Sequence, residues 1–161
     1  MTVTADCGAR NAWEYHVHVI AHTSYNTGSP TGATASNGNA GTNGALTLTL
    51  SGAPATDSEV VAALFKSNGG GGPGSNMTSA PGTGWTELYD TGEVDSGDEF
   101  QQSQIRGSSA STSVDWNDIN DSTGTVSKSI AAALEIKAAA GGAAVPSSKI
   151  IQQAVHRAAS Y

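Results

Sequence analysis

The sequence has one cysteine, few charged residues and few aromatic residues. Among 161 residues only Cys7 carries a thiol, so no intrachain disulfide and no zinc site of several thiolates can form. No apolar run reaches the roughly 18 residues that a transmembrane helix needs. The first fifteen residues, MTVTADCGARNAWEY, lack the basic segment and apolar run of a secretory signal. We therefore expect a soluble protein made in the cytoplasm, without a membrane partner.

Basic residues are also scarce, and the charges are unevenly distributed. The formal net charge is −7, which argues against non-specific binding to nucleic acid or to an anionic membrane. Residues 87–121 contain nine of the fourteen acids and one base, Arg106. From Lys137 onward, by contrast, every charged residue is basic. This asymmetry suggests that the C-terminal segment contacts an acidic patch, either on its own domain or on a neighbouring subunit.

What the sequence does contain is a series of short stretches in which apolar and polar residues alternate, as in half-buried β-strands. Residues 13–20 and 45–50 are the clearest examples, and the valines of residues 59–66 favour a strand over a helix. With polar candidates at residues 100–106 and 111–116, we count seven or eight short strands between Gly-, Ser- and Asn-rich loops. The sequence therefore predicts an all-β fold, an antiparallel and jelly-roll-like β-sandwich.

Residues 126–136 permit two interpretations. As a strand, the segment places Ile130, Ala132, Leu134 and Ile136 on one face. As a helix, it is supported by its alanines and leucine. We include it as the last strand of the sandwich.

The C-terminal part has a different character. We predict a sandwich domain at residues 1–137, a small-residue linker at 138–146 and a helical arm at 147–161, with Ser147 and Ser148 as candidate N-caps. A helix of about three turns is too short to be stable alone, so it must pack on its own domain or on a neighbouring chain. The predicted interface residues of this arm are Ile150, Ile151, Ala154, Val155, Arg157 and Ala158.

The order of short motifs resembles a β-sandwich module of tailed-bacteriophage structural proteins, such as capsid decoration or tail-associated proteins, and of bacterial surface proteins. The motifs are LTLTLSGAP, EVVAALF, a glycine loop leading into GWTEL, then QSQIR, STSVDW and a strand ending in ALEI, and they cover residues 46–136. The resemblance implies a virion or surface module without shared catalytic residues. The N-terminal WEYHVHV strand and the C-terminal arm are additions to that module.

The three tryptophans, Trp13, Trp85 and Trp116, are predicted to lie in the core, because all three belong to alternating stretches. Gly84 precedes Trp85 and would let the loop turn sharply before the strand. The alternative is that these rings are exposed and stack on sugars, in which case the protein would bind carbohydrate.

Metal and catalytic signatures are weak. His16 and His18 share a strand face and could hold a metal, but a polar strand face explains them as well. Residues 115–121, which include Asp115, Asp118 and Asp121, are rich in oxygen ligands as calcium loops are, but their spacing misses the calcium-loop pattern, since Gly124 comes one place late and Ser129 replaces the closing Glu, so an acidic turn is favoured. The sequence has no G-x-S-x-G, P-loop or H-E-x-x-H motif, and we predict neither a cofactor nor an enzyme.

These observations predict a phage virion structural protein, either a capsid decoration or cement protein or a small tail-associated one. It would act through protein–protein contacts with the major capsid protein or other virion proteins, as a homo-oligomer, without binding nucleic acid. Its location would be the virion. The alternative is a carbohydrate-binding or adhesion module on a surface or tail protein.

Overall fold

The computed structural model describes residues 14–21, 25–38, 44–67, 77–90, 99–107, 111–121, 128–139 and 149–157. Over these residues the regular elements are all β-strands, which confirms the predicted all-β class. The strands are β1 Glu14–Ala21, β2 Thr31–Gly38, β3 Gly44–Thr49, β4 Glu59–Ser67, β5 Met77–Pro81, β6 Thr86–Asp90, β7 Glu99–Arg106, β8 Ser113–Asp121, β9 Lys128–Ile136 and β10 Lys149–Arg157. The chain divides into two compact units, Met1–Thr23 with Ser147–Tyr161, and Ser24–Pro146.

The first unit contains an antiparallel pair of strands, β1 and β10, with Glu14 opposite Arg157 and Ala21 opposite Lys149. The structure thus has a strand where the sequence analysis expects a helical arm. The reason is that β-branched residues such as Ile150 and Ile151 fit a strand better than a helix. Pairing with β1 also satisfies the backbone groups of β10, whereas an isolated helix of three turns would be marginal.

The second unit contains two antiparallel sheets. One has five strands in the order β2-β9-β4-β7-β6, and the other has three in the order β3-β8-β5. From β2 to β9 consecutive strands alternate between the two sheets, except for β6 and β7, which are paired neighbours in the five-stranded sheet. The long pairs β2 with β9, β3 with β8 and β4 with β7 join distant parts of the chain.

A single apolar core connects the two sheets. The three-stranded sheet contributes Leu46 and Leu48 from β3 and Val114 and Trp116 from β8. The five-stranded sheet contributes Val60, Ala62 and Leu64 from β4 and Ala131 and Ala133 from β9, and Leu50 and Trp85 complete the cluster. Because alternate residues of both sheets meet in one cluster, the unit is β-sandwich-like.

Two buried glutamines of β7 extend this core with polar contacts. Gln104 donates from Nε2 to the Asp115 carbonyl at 2.9 Å, and its Oε1 accepts the Gly82 amide at 3.3 Å. Gln102 donates to Glu87 at 2.7 Å and accepts from the Ser79 hydroxyl at 3.0 Å. The polar strand predicted at residues 100–106 is therefore an interior strand whose amides are hydrogen-bonded, as burial requires.

The backbone before β6, the register of β6 and the end of β8 differ from a regular alternation of inward and outward residues. Gly84 has φ of 81°, a left-handed conformation that favours glycine, and Trp85 after it is buried. The register of β6 shifts between Glu87 and Tyr89, so the predicted alternation does not continue along that strand. The predicted acidic turn at residues 115–121 is wrong, because β8 runs as a strand to Asp121.

Candidate interaction surface

The five-stranded sheet turns a set of apolar side chains away from the core. They alternate with the core residues of the same two strands, since successive residues of a strand point to opposite faces. We call this set the outer face; it consists of Val61, Ala63 and Phe65 on β4 and Ile130, Ala132, Leu134 and Ile136 on β9. Ile130 is 54% exposed and Leu134 is 37% exposed, whereas their neighbours Ala131 and Ala133 are buried.

The register arranges the outer face in rows that run across the strands. Leu134 lies opposite Val61, Ala132 opposite Ala63, and Ile130 opposite Phe65. On β2 the neighbours in these rows are Thr34, Ser36 and Gly38. The central row is therefore made of small residues, and a row of large residues lies on each side of it.

None of the residues in these three rows of β2, β9 and β4 is ionisable. An apolar patch without charge gains free energy when another apolar surface covers it, because water is released from both. Contiguous exposed apolar patches on proteins mark interaction surfaces. The outer face is therefore suited to bind a protein surface that is itself apolar.

On the opposite face of β9, the Glu135 carboxylate links three segments of the chain. Its Oε2 accepts the Ala33 amide of β2 and its Oε1 accepts the Ala55 amide of the loop before β4, each at 2.7 Å. Burial raises the pKa of Glu135, but these two amides, the Ser58 hydroxyl and the charge of Lys137 together outweigh it and hold the pKa below its usual value. The carboxylate therefore stays ionised and holds the edge strand β2 in place.

A shallow cleft of about 390 Å³ opens beside this carboxylate, lined by residues of β2, of the loop after β3 and of the end of β9. Both Glu135 oxygens already accept backbone amides, and a Cβ added at Gly32 would overlap the carboxylate. Gly32 is thus required for the close approach of β2 to Glu135. The arrangement is that of a structural link between strands.

Arg106, the one base in the acidic stretch, lies between the two sheets. Its guanidinium carbon is 4.6 Å from the centre of the Trp85 ring, a cation–π distance. Nη1 donates to the Ser113 carbonyl at 2.9 Å and Nη2 to the Ser111 carbonyl at 2.7 Å. Burial lowers the pKa of Arg106 and the Asp115 carboxylate partly offsets this, so the residue links the sheets as a cation.

Of the candidate metal ligands, only Asp115 has a described side chain. Asp115 accepts hydrogen bonds from the hydroxyls of Thr47 at 2.9 Å and Ser113 at 2.7 Å. The described part of the chain contains no group of three His, Cys, Asp or Glu side chains suited to a metal. His16 and His18 lie on β1, and Asp118 and Asp121 on β8, where side chains fall outside the description.

The predicted core tryptophans and interface residues also include some whose side chains are described and some whose side chains are not. Trp116 is fully buried and Trp85 is 7% exposed, so neither ring is available to stack on a sugar. Trp13 lies outside the described residues. The predicted interface residues Ile150 to Arg157 lie on β10, whose side chains are not described, and Ala158 lies beyond it. The outer face was not among the sites predicted from the sequence. The signal that could have indicated it is the alternation of residues 130–136, which places four apolar residues on one face of the strand.

Comparison of the chain with protein family models, with curated proteins and with solved structures gives no match. In the part of the chain that the structure describes, no helix is long and apolar enough to cross a membrane.

Proposed function

We propose that the protein is a structural component of a bacteriophage virion, a capsid decoration or cement protein or a small tail-associated one. It would act by burying surface against other virion proteins, in the virion, without a chemical step. The observation that carries this proposal is the outer face, because it presents exposed apolar side chains on the surface of the five-stranded sheet.

We further propose that the second unit is a jelly roll. A jelly roll is a long antiparallel hairpin rolled into two sheets, so its first strand pairs with its last, its second with its second-last, and so on inward. Counting β2 to β9 as eight strands, the pairs β2 with β9, β3 with β8 and β4 with β7 follow this rule. The innermost pair would be β5 with β6, which contact each other although β6 pairs with β7.

Jelly rolls are the fold of many viral capsid proteins and also of lectins, so the fold alone supports either function by analogy. Burial of Trp85 and Trp116 removes two of the three rings on which a sugar-binding function was expected to rest. The exposed apolar outer face favours the contact function, since sugar sites combine an aromatic ring with polar groups.

The test is whether the chain travels with particles. Particles are purified through two successive density gradients from the strain that encodes the chain, and the chain is quantified against the major capsid protein by mass spectrometry. We expect a ratio that stays constant through both gradients, because a component bound by specific contacts remains with the particle.

A cytoplasmic protein of similar abundance serves as the control and should be lost at each gradient. A chain that is depleted in parallel with this control would contradict the proposal. Binding of the purified chain to immobilised glycans would then point to the carbohydrate-binding alternative.

A further inference from the structure

We propose that the outer face of the five-stranded sheet binds the outer face of a second copy of this chain, forming a symmetric dimer in which a row of large side chains enters the row of small ones. The inference rests on the proposed function in one respect only, the reason why self-association would be useful to the protein. The dimer itself is inferred from the outer face. It deepens that function by naming one of the partners.

The shape of the outer face is the first argument. The two large rows, Leu134 with Val61 and Ile130 with Phe65, are four residues apart along the strands. At about 3.4 Å per residue their separation is about 14 Å, and the small row lies midway between them. The outer face thus consists of two ridges with a groove between them.

The symmetry of such a surface is the second argument. Consider a two-fold axis that lies in the interface, parallel to the rows and midway between the small row and the large row of Leu134 and Val61. Rotation about this axis places the large row of each copy over the small row of the other. A two-fold contact of this kind is closed, so it yields a dimer and does not continue into a fibre.

Charge is the third argument. The chain carries a net charge of −7, so most of its surface repels a second copy. The three rows through Leu134, Ala132 and Ile130 carry no ionisable residue on β2, β9 or β4, and Glu59, opposite Ile136, and Lys128 lie beyond them, so a ridge and a groove can meet without a charge between them. An apolar, uncharged face is compatible with a copy of itself, whereas an acidic face would require a basic partner.

The size of the face sets the expected strength. Three strands about 4.8 Å apart and about six residues long give a footprint of about 300 Å² per copy. Contacts of this size belong to the weak and transient class. We therefore expect a dimer that forms in a concentration-dependent way in solution and is reinforced where many copies are held on one particle.

The experiment is sedimentation equilibrium of the full chain over a range of concentrations, with three variants. Leu134→Thr removes a ridge side chain but keeps a strand-forming residue, and we expect dimer affinity to fall by about 10-fold or more because the change occurs on both copies. Ala132→Leu fills the groove at an exposed position and should weaken the dimer similarly. Tyr25→Thr removes an exposed aromatic residue outside the rows and should leave the affinity unchanged.

Ala132→Leu distinguishes the proposed ridge-into-groove packing from non-specific hydrophobic association. Non-specific association would become stronger with the larger apolar side chain. The proposed dimer would become weaker, because a ridge can no longer enter a groove that is filled. Stronger association of this variant would overturn the proposal, as would a chain that stays monomeric at millimolar concentration. Circular dichroism of each variant checks that the sheet content is unchanged.

The outcomes of this experiment and of the particle experiment are independent. A chain that dimerises as described but is absent from particles would contradict the proposed function and leave the dimer standing. A chain that stays with particles but never self-associates would contradict the dimer alone.

Discussion

Replacing Trp116 with alanine is expected to lower the free energy of unfolding by about 3–5 kcal/mol, the range found for large aromatic residues removed from cores. Trp116 is fully buried on β8 and belongs to the cluster that joins the two sheets. Apart from Trp85, the core cluster consists of alanine, valine and leucine, and these side chains cannot extend to fill the cavity that the ring leaves. Urea denaturation followed by circular dichroism measures the loss.

Trp116→Phe is the matched control for this prediction. The indole Nε1 of Trp116 is buried and has no hydrogen-bond partner in the described structure, so phenylalanine removes an unsatisfied donor along with some volume. We therefore expect the phenylalanine variant to lose much less stability than the alanine variant. Equal losses for the two variants, or an alanine variant as stable as the parent, would contradict the position of Trp116 in the core.

Replacing Glu135 with alanine is expected to reduce the free energy of unfolding by about 2–3 kcal/mol at neutral pH, because the Ala33 and Ala55 amides lose the acceptor that satisfies them. Glu135→Gln is the conservative comparison. Its amide can offer an acceptor to one backbone N–H but places a donor against the other, so it should recover only part of the loss. Thermal and urea denaturation at pH 7 measure both variants.

The contribution of Glu135 should depend on pH in a defined direction. The pKa of this carboxyl is lowered from its usual value of 4.5 in the folded protein. The folded state therefore favours the ionised form, and the stabilisation is complete above the usual pKa and is lost as the pH falls through the lowered one. The difference in stability between the parent and Glu135→Gln should shrink as the pH is reduced below about 4.5. A difference that stays constant down to pH 2, or grows, would contradict the role of the carboxylate.

Much of the fold follows from the sequence because period-two alternation reports strands directly. The leucines of β3 and the pair Val114 and Trp116 lie on buried faces of the three-stranded sheet, with polar residues between them on the other face. The strand at residues 59–66 was predicted from its valines, and the structure places it at the centre of the five-stranded sheet. The run is apolar on both faces because Val60, Ala62 and Leu64 pack in the core, whereas Val61, Ala63 and Phe65 belong to the outer face.

The candidate surface could not be predicted because periodicity identifies two faces of a strand without saying which one is buried. On β9 the larger side chains, Ile130 and Leu134, are exposed, and the alanines between them pack in the core. Hydrophobicity alone favours the opposite orientation. The observed orientation places the Glu135 carboxylate on the side where it accepts the Ala33 and Ala55 amides, a pairing that the sequence does not reveal.

The C-terminal segment shows a second limit of local patterns. Its apolar residues fit a helical stripe, and its own sequence contains no signal for the strand that pairs with it, since β1 lies more than a hundred residues away. Pairing over such a distance is a tertiary effect that overrides local propensity. The same holds for Gln102 and Gln104, whose polar character gives no indication of burial.

On β9 the structure buries Ala133 and exposes Leu134, and thiol reactivity at these two positions distinguishes this orientation from the opposite one. Leu134→Cys and Ala133→Cys are made separately in a Cys7→Ser background, and the rate of reaction with a small thiol reagent is measured at micromolar concentration, with urea-unfolded protein as the reference. We predict that the thiol at position 134 reacts at a rate near that of the unfolded chain, and that the thiol at position 133 is protected by about 100-fold or more, since it reacts only when the sheet opens. Rapid reaction at position 133 with protection at position 134 would contradict the account.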